Sequence, residues 1–366
     1  MNSVKFVYLD PEVKNDPQVP HILKRLHIPV QGVATPEQLF ERIQKAADPI
    51  KAGKEILFLT LNRGRFIRDC PGTRDYQCCA YMILHVGTFC TMDCAYCILQ
   101  SYFHPPVLQY FVNHDAMLKE LDGFFDARAH RRIGTGEYTD SLIWEPATPM
   151  VGKLIDRFAD QSHAVLELKT KTARVDSLET YRHNRRTIVA WSLNTEKIVH
   201  QNEIGTARID ARLKAARKCQ RWGYPLAFHI DPIVLYDGAA DDYRALIQKL
   251  AANIDPGAIV WISLGAFRCM PSLKTILHRR FPESEILHGE LISGLDGKLR
   301  YYKPLRIEMY RNLVSWIRAW APEVTLYFCM ESQEVWQEVL DIDLSARGGL
   351  NRMLDRRAVA ACQLAP

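Results

Sequence analysis

The chain has 366 residues, of which 48% are hydrophobic and 24% are charged. This composition excludes a disordered chain, and the length suits one large α/β domain or two domains of roughly 150 residues each. Forty-seven Lys and Arg against 42 Asp and Glu leave a net charge of +5, which is too small to indicate nucleic-acid binding by itself.

The N-terminus reads MNSVKFVYLDPEV, with acidic residues and a proline where a signal peptide would have its apolar core. No apolar run approaches the roughly 18 residues that span a bilayer. We therefore expect a cytoplasmic protein without a membrane segment. In a reducing compartment its ten cysteines are expected to be thiols or metal ligands.

Residues 1–80 predict a small N-terminal α/β domain that ends in a connector. KFVYLD and KEILFLTL have the composition of strands, and PEQLFERIQKA predicts an amphipathic helix that begins at a Thr-Pro pair. Residues 63–80, which are rich in Arg, Gly and Cys, predict an irregular connector.

From residue 81 onward, predicted strands alternate with predicted helices. The six strands that each precede a helix are residues 81–86, 131–136, 164–170, 187–193, 224–231 and 258–264. A seventh strand, 324–329, follows a long helix. This alternation predicts a partial (β/α)6 barrel of α/β class over residues 81–335, with a helical tail over 336–366. In such a barrel the chemistry lies at the C-terminal ends of the strands.

The segment VGTFCTMDCAYCILQ follows the first barrel strand and contains Cys90, Cys94 and Cys97 in the spacing C-x3-C-x2-C. Zinc sites usually take four protein ligands, often as two C-x2-C pairs, and no second pair of that spacing follows. A [4Fe–4S] cluster has four irons, so three cysteines leave one iron open to a ligand that is not protein. The spacing therefore favours a cluster with an open iron, and zinc is the alternative.

This spacing in this position resembles the radical S-adenosylmethionine (SAM) superfamily. There SAM chelates the open iron, and one electron cleaves its sulfonium to give a 5′-deoxyadenosyl radical that abstracts hydrogen from the substrate. The resemblance implies a [4Fe–4S] cluster and SAM as cofactors and a reductant such as flavodoxin or ferredoxin. Tyr96 matches the superfamily's aromatic position, which packs against the adenine.

The sequence GTGE at the end of the second barrel strand contains Gly134, Gly136 and Glu137. Glycines let the backbone approach a ligand closely, and a carboxylate can accept hydrogen bonds from an ammonium group. The segment resembles the superfamily's glycine-rich motif for the methionine amino group of SAM.

Polar residues also end the next barrel strands. Lys169, Ser192 and Asn194 are candidates to hold the carboxylate and ribose oxygens of SAM, because they offer an ammonium, a hydroxyl and an amide. His229 and Asp231 end a later strand and are expected to face the same cavity. His229 is a further candidate cofactor contact. For Lys169 a plain surface position, and for His229 a structural pairing with a neighbouring Asp, remain alternatives.

Beyond this core the chain resembles the spore photoproduct lyase family of radical SAM enzymes. The resemblance covers most of the chain and includes the N-terminal domain and the segments CAYCILQSYF, KTARVDSL, SLNTEKI, GYPLAFHIDPI and FRCMPSLK. Those lyases reverse a thymine dimer in spore DNA, and a cysteine returns a hydrogen atom to the product radical. The resemblance implies a lyase-like enzyme, expected to be a monomer, whose substrate is DNA or another nucleic-acid-related molecule.

Two departures concern the hydrogen donor. The lyases carry their donor cysteine in the segment after the second barrel strand, where this chain has Gly136-Glu137-Tyr138, and a second tyrosine where it has Ile98. Carboxylates and aliphatic side chains are poor hydrogen-atom donors. Cys269 and Cys329 follow late strands and are candidate replacements. Three further cysteines stay open as candidates, namely Cys70, Cys78 and Cys79.

The segment GKLRYYKPLRIEMY occupies the place of the lyases' basic, aromatic DNA-binding hairpin. It supplies candidate nucleic-acid contacts at Arg300, Tyr301, Tyr302 and Lys303. A rival hypothesis is a cluster-containing nucleic-acid-binding or redox-sensing protein without radical catalysis. The GTGE motif and Tyr96 argue against this rival, because a structural cluster needs neither.

Overall fold

A computed structural model describes residues 3–73, 75–145 and 147–365. The described residues form 18 strands. These are β1 (Phe6–Leu9), β2 (Val30–Val33), β3 (Ile56–Thr60), β4 (Ile67–Asp69), β5 (Met82–Leu84), β6 (Gly87–Thr88), β7 (Asp93–Cys94), β8 (Leu108–Phe111), β9 (Arg131–Gly134), β10 (Ala164–Thr170), β11 (Thr187–Ser192), β12 (Glu203–Ile204), β13 (Leu226–Ile233), β14 (Ile259–Ala266), β15 (Arg268–Cys269), β16 (Leu291–Ser293), β17 (Leu299–Tyr301) and β18 (Thr325–Phe328).

The same residues form 13 α-helices. These are α1 (Gln18–Leu26), α2 (Pro36–Gln44), α3 (Pro49–Lys54), α4 (Leu99–Tyr102), α5 (His114–Asp126), α6 (Met150–Ala159), α7 (Glu196–Asn202), α8 (Ile209–Arg221), α9 (Ala239–Asn253), α10 (Pro271–Arg280), α11 (Lys303–Trp320), α12 (Gln333–Leu340) and α13 (Leu350–Cys362). None of the helices in the described ranges is both long and apolar enough to span a bilayer.

The large sheet has eight strands in the order β18-β14-β13-β11-β10-β9-β5-β4. All neighbours in it are parallel except β4 and β5. Its seven parallel strands are the seven that the sequence predicts from residue 81 onward, which confirms the predicted partial barrel. β11 and β14 are buried along their whole length, as is typical of parallel strands covered on both faces.

The small sheet has the order β2-β1-β3-β8-β6. Its helix α2 begins as predicted: Thr35 Oγ1 accepts from the backbone nitrogen of Gln38 at 3.3 Å, and Gln38 Oε1 accepts from the backbone nitrogen of Thr35 at 3.0 Å. This reciprocal cap satisfies two backbone donors that the first helical turn leaves free. The division at residue 80 does not separate the two sheets. β4 precedes this residue but belongs to the large sheet, and β8 follows it but belongs to the small sheet. The domain divisions at residues 80 and 335 stay predictions.

Two smaller antiparallel sheets lie beside the barrel. β12 pairs with β7 and thereby attaches the cysteine segment to the chain near residue 203. β15, β17 and β16 form a three-stranded sheet. The last helix, α13, packs against β9 and β14 of the large sheet, so the predicted C-terminal tail is a helix that covers the barrel.

Candidate functional site

A cavity of about 330 Å³ lies at the C-terminal ends of the barrel strands. Thr170, Ser192, Pro232 and Phe267, from the ends of four neighbouring strands, contribute to its wall. The cysteine segment and the β15 hairpin close its sides. The cavity therefore lies at the sheet edge where the fold predicts the chemistry.

Cys90, Cys94 and Cys97 all line this cavity. Within the described ranges, no three Cys, His, Asp or Glu side chains converge closely enough to hold one metal ion. In a [4Fe–4S] cluster each cysteine binds a different iron, so the three thiols need not converge on one point. The donor set and its arrangement beside an open cavity fit such a cluster.

The backbone of the cysteine segment is held by buried side chains that the sequence analysis missed. Lys54, which is 4% exposed, donates from Nζ to the carbonyl oxygens of Cys90 at 2.9 Å and Met92 at 2.5 Å. Gln100 Nε2 donates to the carbonyl oxygen of Cys94 at 3.0 Å. These bonds satisfy carbonyl groups that the irregular segment would otherwise leave buried and unpaired.

Burial governs the protonation of two of these thiols. It raises the pKa of Cys90 to about 12, with a smaller effect from Asp140. It also raises the pKa of Cys94 well above the usual range, although the nearby Lys171 ammonium lowers it. These thiols therefore carry protons in the metal-free protein, and metal binding must displace those protons.

Tyr96 lines the cavity, and its hydroxyl donates a hydrogen bond to Glu203. Glu203 also pairs with Arg212, and the side chains of both are at most 1% exposed. Burial raises the pKa of Tyr96 well above its ordinary value, with a further contribution from the Glu203 charge. The ring of Tyr96 is thereby fixed at the cavity wall by a buried ion pair.

The GTGE loop and strand β10 form the opposite part of the wall. Gly136, Glu137 and Lys169 line the cavity, and Lys169 Nζ lies 3.3 Å from Glu137 Oε1. A Cβ on Gly136 would lie 2.6 Å from Cβ of Lys169, so only glycine fits there. Burial alone would lower the pKa of Lys169, but nearby carboxylates, with Glu137 the largest of them, raise it.

Ser192 lines the cavity as predicted, whereas Gly134, Asn194 and His229 are not among the residues of its wall. A Cβ on Gly134 would meet the Tyr81 hydroxyl at 1.8 Å, so this glycine serves packing. Asn194 is 1% exposed and donates from Nδ2 to the carbonyl oxygen of Pro232 at 2.7 Å.

His229 contacts other barrel strands. Its Nε2 lies 2.7 Å from Glu167 Oε1 and its Nδ1 lies 2.8 Å from Ser263 Oγ. These bonds link β10, β13 and β14 across the barrel. His229 therefore has the structural pairing that the sequence left open, but the partner is Glu167 of β10 and not a neighbouring Asp, since Asp231 pairs with Arg268.

An ion pair lies on the far side of the cavity. The sequence indicated one of its residues, Asp231, but not the other, Arg268. Arg268 and Asp231 line the cavity, with Arg268 Nη2 3.2 Å from Asp231 Oδ2. The same nitrogen donates to Cys329 Sγ at 3.3 Å. Burial raises the pKa of Cys329 to about 12, although the Arg268 charge lowers it. Cys269 lines the cavity and is 1% exposed, whereas Cys329 is not part of the wall.

Asp140 is a cavity residue whose role the sequence did not indicate. It accepts hydrogen bonds from Thr170 Oγ1 at 2.8 Å and from the backbone nitrogens of Lys171 at 2.8 Å and Leu142 at 2.9 Å. Burial raises its pKa. Asp140 joins the loop after β9 to the end of β10, and so supports the wall that carries Glu137 and Lys169.

The four predicted nucleic-acid contacts divide into two pairs. Arg300 and Tyr301 are 3% and 0% exposed. Arg300 pairs with Asp296 at 2.7 Å, and Tyr301 accepts a hydrogen bond from the backbone nitrogen of Leu235 at 3.2 Å. Tyr302 is 51% exposed, and Lys303 pairs with Glu334 at the surface. Only Tyr302 and Lys303 are therefore accessible to a macromolecule.

Comparison with known proteins finds relatives of this chain both by sequence and by fold. The sequence profile of the spore photoproduct lyase family matches residues 71–301. Spore photoproduct lyase of Bacillus subtilis (strain 168) is 28% identical over 222 residues, which cover 59% of this chain and 63% of that protein. The spore photoproduct lyase of Geobacillus sp. (strain Y412MC61) is 29% identical over 223 residues, 60% of this chain and 63% of that protein.

Solved structures share the architecture. A spore photoproduct lyase variant with dinucleoside spore photoproduct superposes with a TM-score of 0.79 at 23% identity, covering 89% of this chain and 98% of that one. A second variant, with bound S-adenosylmethionine and the same dinucleoside, gives a TM-score of 0.77 at 22% identity and the same coverage. Both likenesses show a common fold.

The fold and the cavity define an α/β partial-barrel protein with three thiols at the mouth of the barrel. The matched segment spans most of the barrel, and the alignments span 63% of the length of the two curated relatives. The chain belongs to the spore photoproduct lyase family.

Proposed function

We propose that this chain is a radical SAM enzyme that is lyase-like in its reaction. The observation that carries the proposal is the joint presence of Cys90, Cys94 and Cys97 on the wall of one cavity with Glu137 and Lys169. Three thiols in this spacing suit a [4Fe–4S] cluster with one open iron. The charged and hydroxyl groups opposite the thiols suit the ammonium and carboxylate groups of the methionine part of SAM.

The cluster would be held by the three cysteines, and SAM by residues of the facing wall. When bound, the reduced cluster and SAM supply a radical that abstracts hydrogen, and the protein supplies orientation and shielding. Tyr96 presents a fixed ring to the adenine. Glu137 accepts from an ammonium and Lys169 donates to a carboxylate, while Ser192 offers a hydroxyl at the end of β11.

The proposed substrate is a thymine lesion in DNA or another nucleic-acid-related molecule. Family membership and the dinucleoside bound to the related lyase structures support this choice. The segment Gly136-Glu137-Tyr138 and Ile98 occupy the places of the family's donor cysteine and second tyrosine, so we expect another hydrogen donor to the product radical. Ile98 lines the cavity and is 42% exposed.

The cellular setting is part of the proposal. We expect a cytoplasmic monomer that receives electrons from a flavodoxin or a ferredoxin. Tyr302 and Lys303 are the exposed residues proposed to contact nucleic acid. Binding that uses several phosphate contacts weakens steeply as salt concentration rises, which a titration of duplex DNA at several salt concentrations would reveal.

The experiment that tests the proposal is anaerobic reconstitution with iron and sulfide, followed by dithionite and SAM. The wild-type protein should contain a cluster and release 5′-deoxyadenosine, and Cys94→Ala should do neither. Cys219→Ala is the matched control, because Cys219 is a buried thiol of α8 outside the cavity. A Cys94→Ala protein that still released 5′-deoxyadenosine would refute the proposal.

Substrate identity is tested separately by incubating the reduced enzyme with dinucleoside spore photoproduct. Formation of two thymidines would establish repair of this lesion. Release of 5′-deoxyadenosine without thymidine would direct the search to another substrate. A stable cluster without SAM cleavage would favour the rival function in nucleic-acid binding or redox sensing.

A further inference from the structure

The wall of the cavity contains a thiol that the proposed function does not yet use. Cys70 directly follows β4, and its backbone nitrogen donates to the carbonyl oxygen of Tyr81 at 3.0 Å. This bond places Cys70 at the closed base of the β4–β5 connection, where it lines the cavity together with Glu137. Cys70 lies one residue before the segment that matches the family profile, so that profile gives no indication of it.

The surroundings of Cys70 suit a hydrogen-atom donor. Its side chain packs against a cluster that contains Tyr81 and Tyr138. Burial raises the pKa of its thiol, and the Glu137 carboxylate is the next largest cause. A hydrogen-atom donor must keep its S–H bond, because a thiolate has no hydrogen atom to give. Glu137 cannot donate a hydrogen atom, but its charge helps keep the thiol beside it protonated.

The other thiols outside the cluster segment are less well placed. Cys329 is not part of the cavity wall and is bound by Arg268. Cys269 lines the cavity but is 1% exposed and paired within the β15 sheet. Cys78 and Cys79 do not line the cavity. Cys70 is the partly exposed cysteine that lines the wall carrying Glu137.

We propose that Cys70 is the hydrogen-atom donor of this chain, in place of the family cysteine that the segment Gly136-Glu137-Tyr138 lacks. The inference rests on the proposed function. A carbon radical of the substrate takes the hydrogen atom of Cys70, so that a C–H bond forms, the S–H bond breaks and the unpaired electron moves to Sγ. A small thiol, as co-reactant, returns a hydrogen atom to Sγ before the next turnover, and two of the thiyl radicals formed in this way couple to a disulfide.

The test uses the full-length reconstituted enzyme in D2O with dithionite and SAM but without substrate, so that its outcome does not depend on substrate identity. Cys70 then carries S–D on the wall of the cavity in which the radical is generated. Wild-type protein should release 5′-deoxyadenosine that contains deuterium. Cys70→Ala should release 5′-deoxyadenosine that has lost most of this label, whereas Cys78→Ala, a change in an exposed thiol of the same connection, should keep it.

An unchanged label in Cys70→Ala overturns the inference while leaving the proposed function intact. A wild-type protein that forms no 5′-deoxyadenosine overturns the proposed function and the inference with it. Should Cys70→Ala fail to fold, Cys70→Ser keeps the size of the side chain and must also lose the label.

A second readout needs no cofactor and no activity. Alkylation of Cys70 by iodoacetamide, followed by peptide mass spectrometry, reports the pH at which its thiolate forms. Glu137→Gln removes the neighbouring negative charge, so the alkylation profile of Cys70 should shift to lower pH while that of the exposed Cys78 stays unchanged. A profile of Cys70 that does not move contradicts the assigned role of Glu137.

Discussion

Two walls face each other across the cavity, and they are built on different principles. The cysteine wall is one continuous segment, whose backbone is bound by buried groups such as Lys54 and whose Tyr96 is held by the Glu203–Arg212 pair. The charged wall is assembled from separate segments, and its pair Glu137–Lys169 is about one quarter to one third exposed. The difference indicates that buried charged groups fix the first wall, whereas the charged groups of the second stay accessible to a ligand.

The largest expected effect concerns the ion pair behind Tyr96. Arg212→Leu would leave Glu203 buried without its cation, and breaking a buried pair in this way costs about 3–5 kcal/mol of unfolding free energy. Urea denaturation measures this cost. Arg217→Leu, an exposed change on the same helix, should stay within about 0.5 kcal/mol of wild type. Equal losses in the two variants would contradict the rigidity of the cysteine wall.

A second prediction concerns His85, which precedes the cysteine segment and packs against Tyr138, the residue after Glu137. Among the residues that the structure describes, neither ring nitrogen of His85 has a hydrogen-bond partner, and burial lowers its pKa from 6.5 to about 3. The unfolded state therefore binds the proton first, so stability falls as the pH drops from 6.5 toward 3, by up to about 1.4 kcal/mol per pH unit.

His85→Leu should remove this contribution, so that the unfolding free energy falls less steeply in acid than in wild type. Urea denaturation at a series of pH values measures the slope. His21→Leu on α1 is the matched control, because it removes an exposed histidine. An unchanged acid slope in His85→Leu would show that the imidazole does not remain buried and neutral.

Lys54→Met should have an intermediate effect. It removes the donor to the carbonyl oxygens of Cys90 and Met92, and leaving such groups buried without a partner costs about 1–3 kcal/mol. We expect lower stability and a lower iron content after reconstitution. Lys51→Met, which changes an exposed lysine of the same helix, should reconstitute like wild type. A Lys54→Met protein with full iron content would show that the cysteine segment keeps its shape without this support.

The smallest effect on stability is expected on the charged wall. Glu137→Gln removes a partly exposed ion pair, and such pairs contribute about 0–1 kcal/mol. The unfolding free energy should therefore barely change, while the affinity for SAM falls. Isothermal titration of the reconstituted protein with SAM measures the second quantity. A large loss of stability without loss of affinity would reverse the assignment of the two walls.

Sequence reasoning reached the cysteine wall because its information is local. Cys90, Cys94, Tyr96 and Cys97 lie within eight positions, and the strand alternation gave the barrel. Sequence reasoning did not predict the residues that support this wall, because Lys54 is 36 residues from Cys90 and Glu203 is 107 residues from Tyr96. Their spacing carries no signal until the chain is folded.

The charged wall was predicted in part. Glu137, Lys169 and Ser192 were expected at strand ends and lie there, because parallel strands end at one edge. Asn194 and His229 were expected from the same rule, yet both are used in hydrogen bonds that hold the strands together. The common edge of parallel strands predicts where the polar residues lie. It does not predict which of them are already hydrogen-bonded to neighbouring residues. Arg300 and Tyr301 illustrate the same limit, since their burial follows from Asp296 and Leu235.

The cysteine segment leaves the large sheet at β5 and enters the small sheet at β6 and β8, with β7 paired to β12 between them. The backbone pairing of Asp93 and Cys94 therefore depends on Glu203 and Ile204, far along the chain. We expect stable binding of the cluster to require a chain that extends through β12. A nascent or truncated chain that lacks β12 should expose the same cysteines without the ability to retain iron.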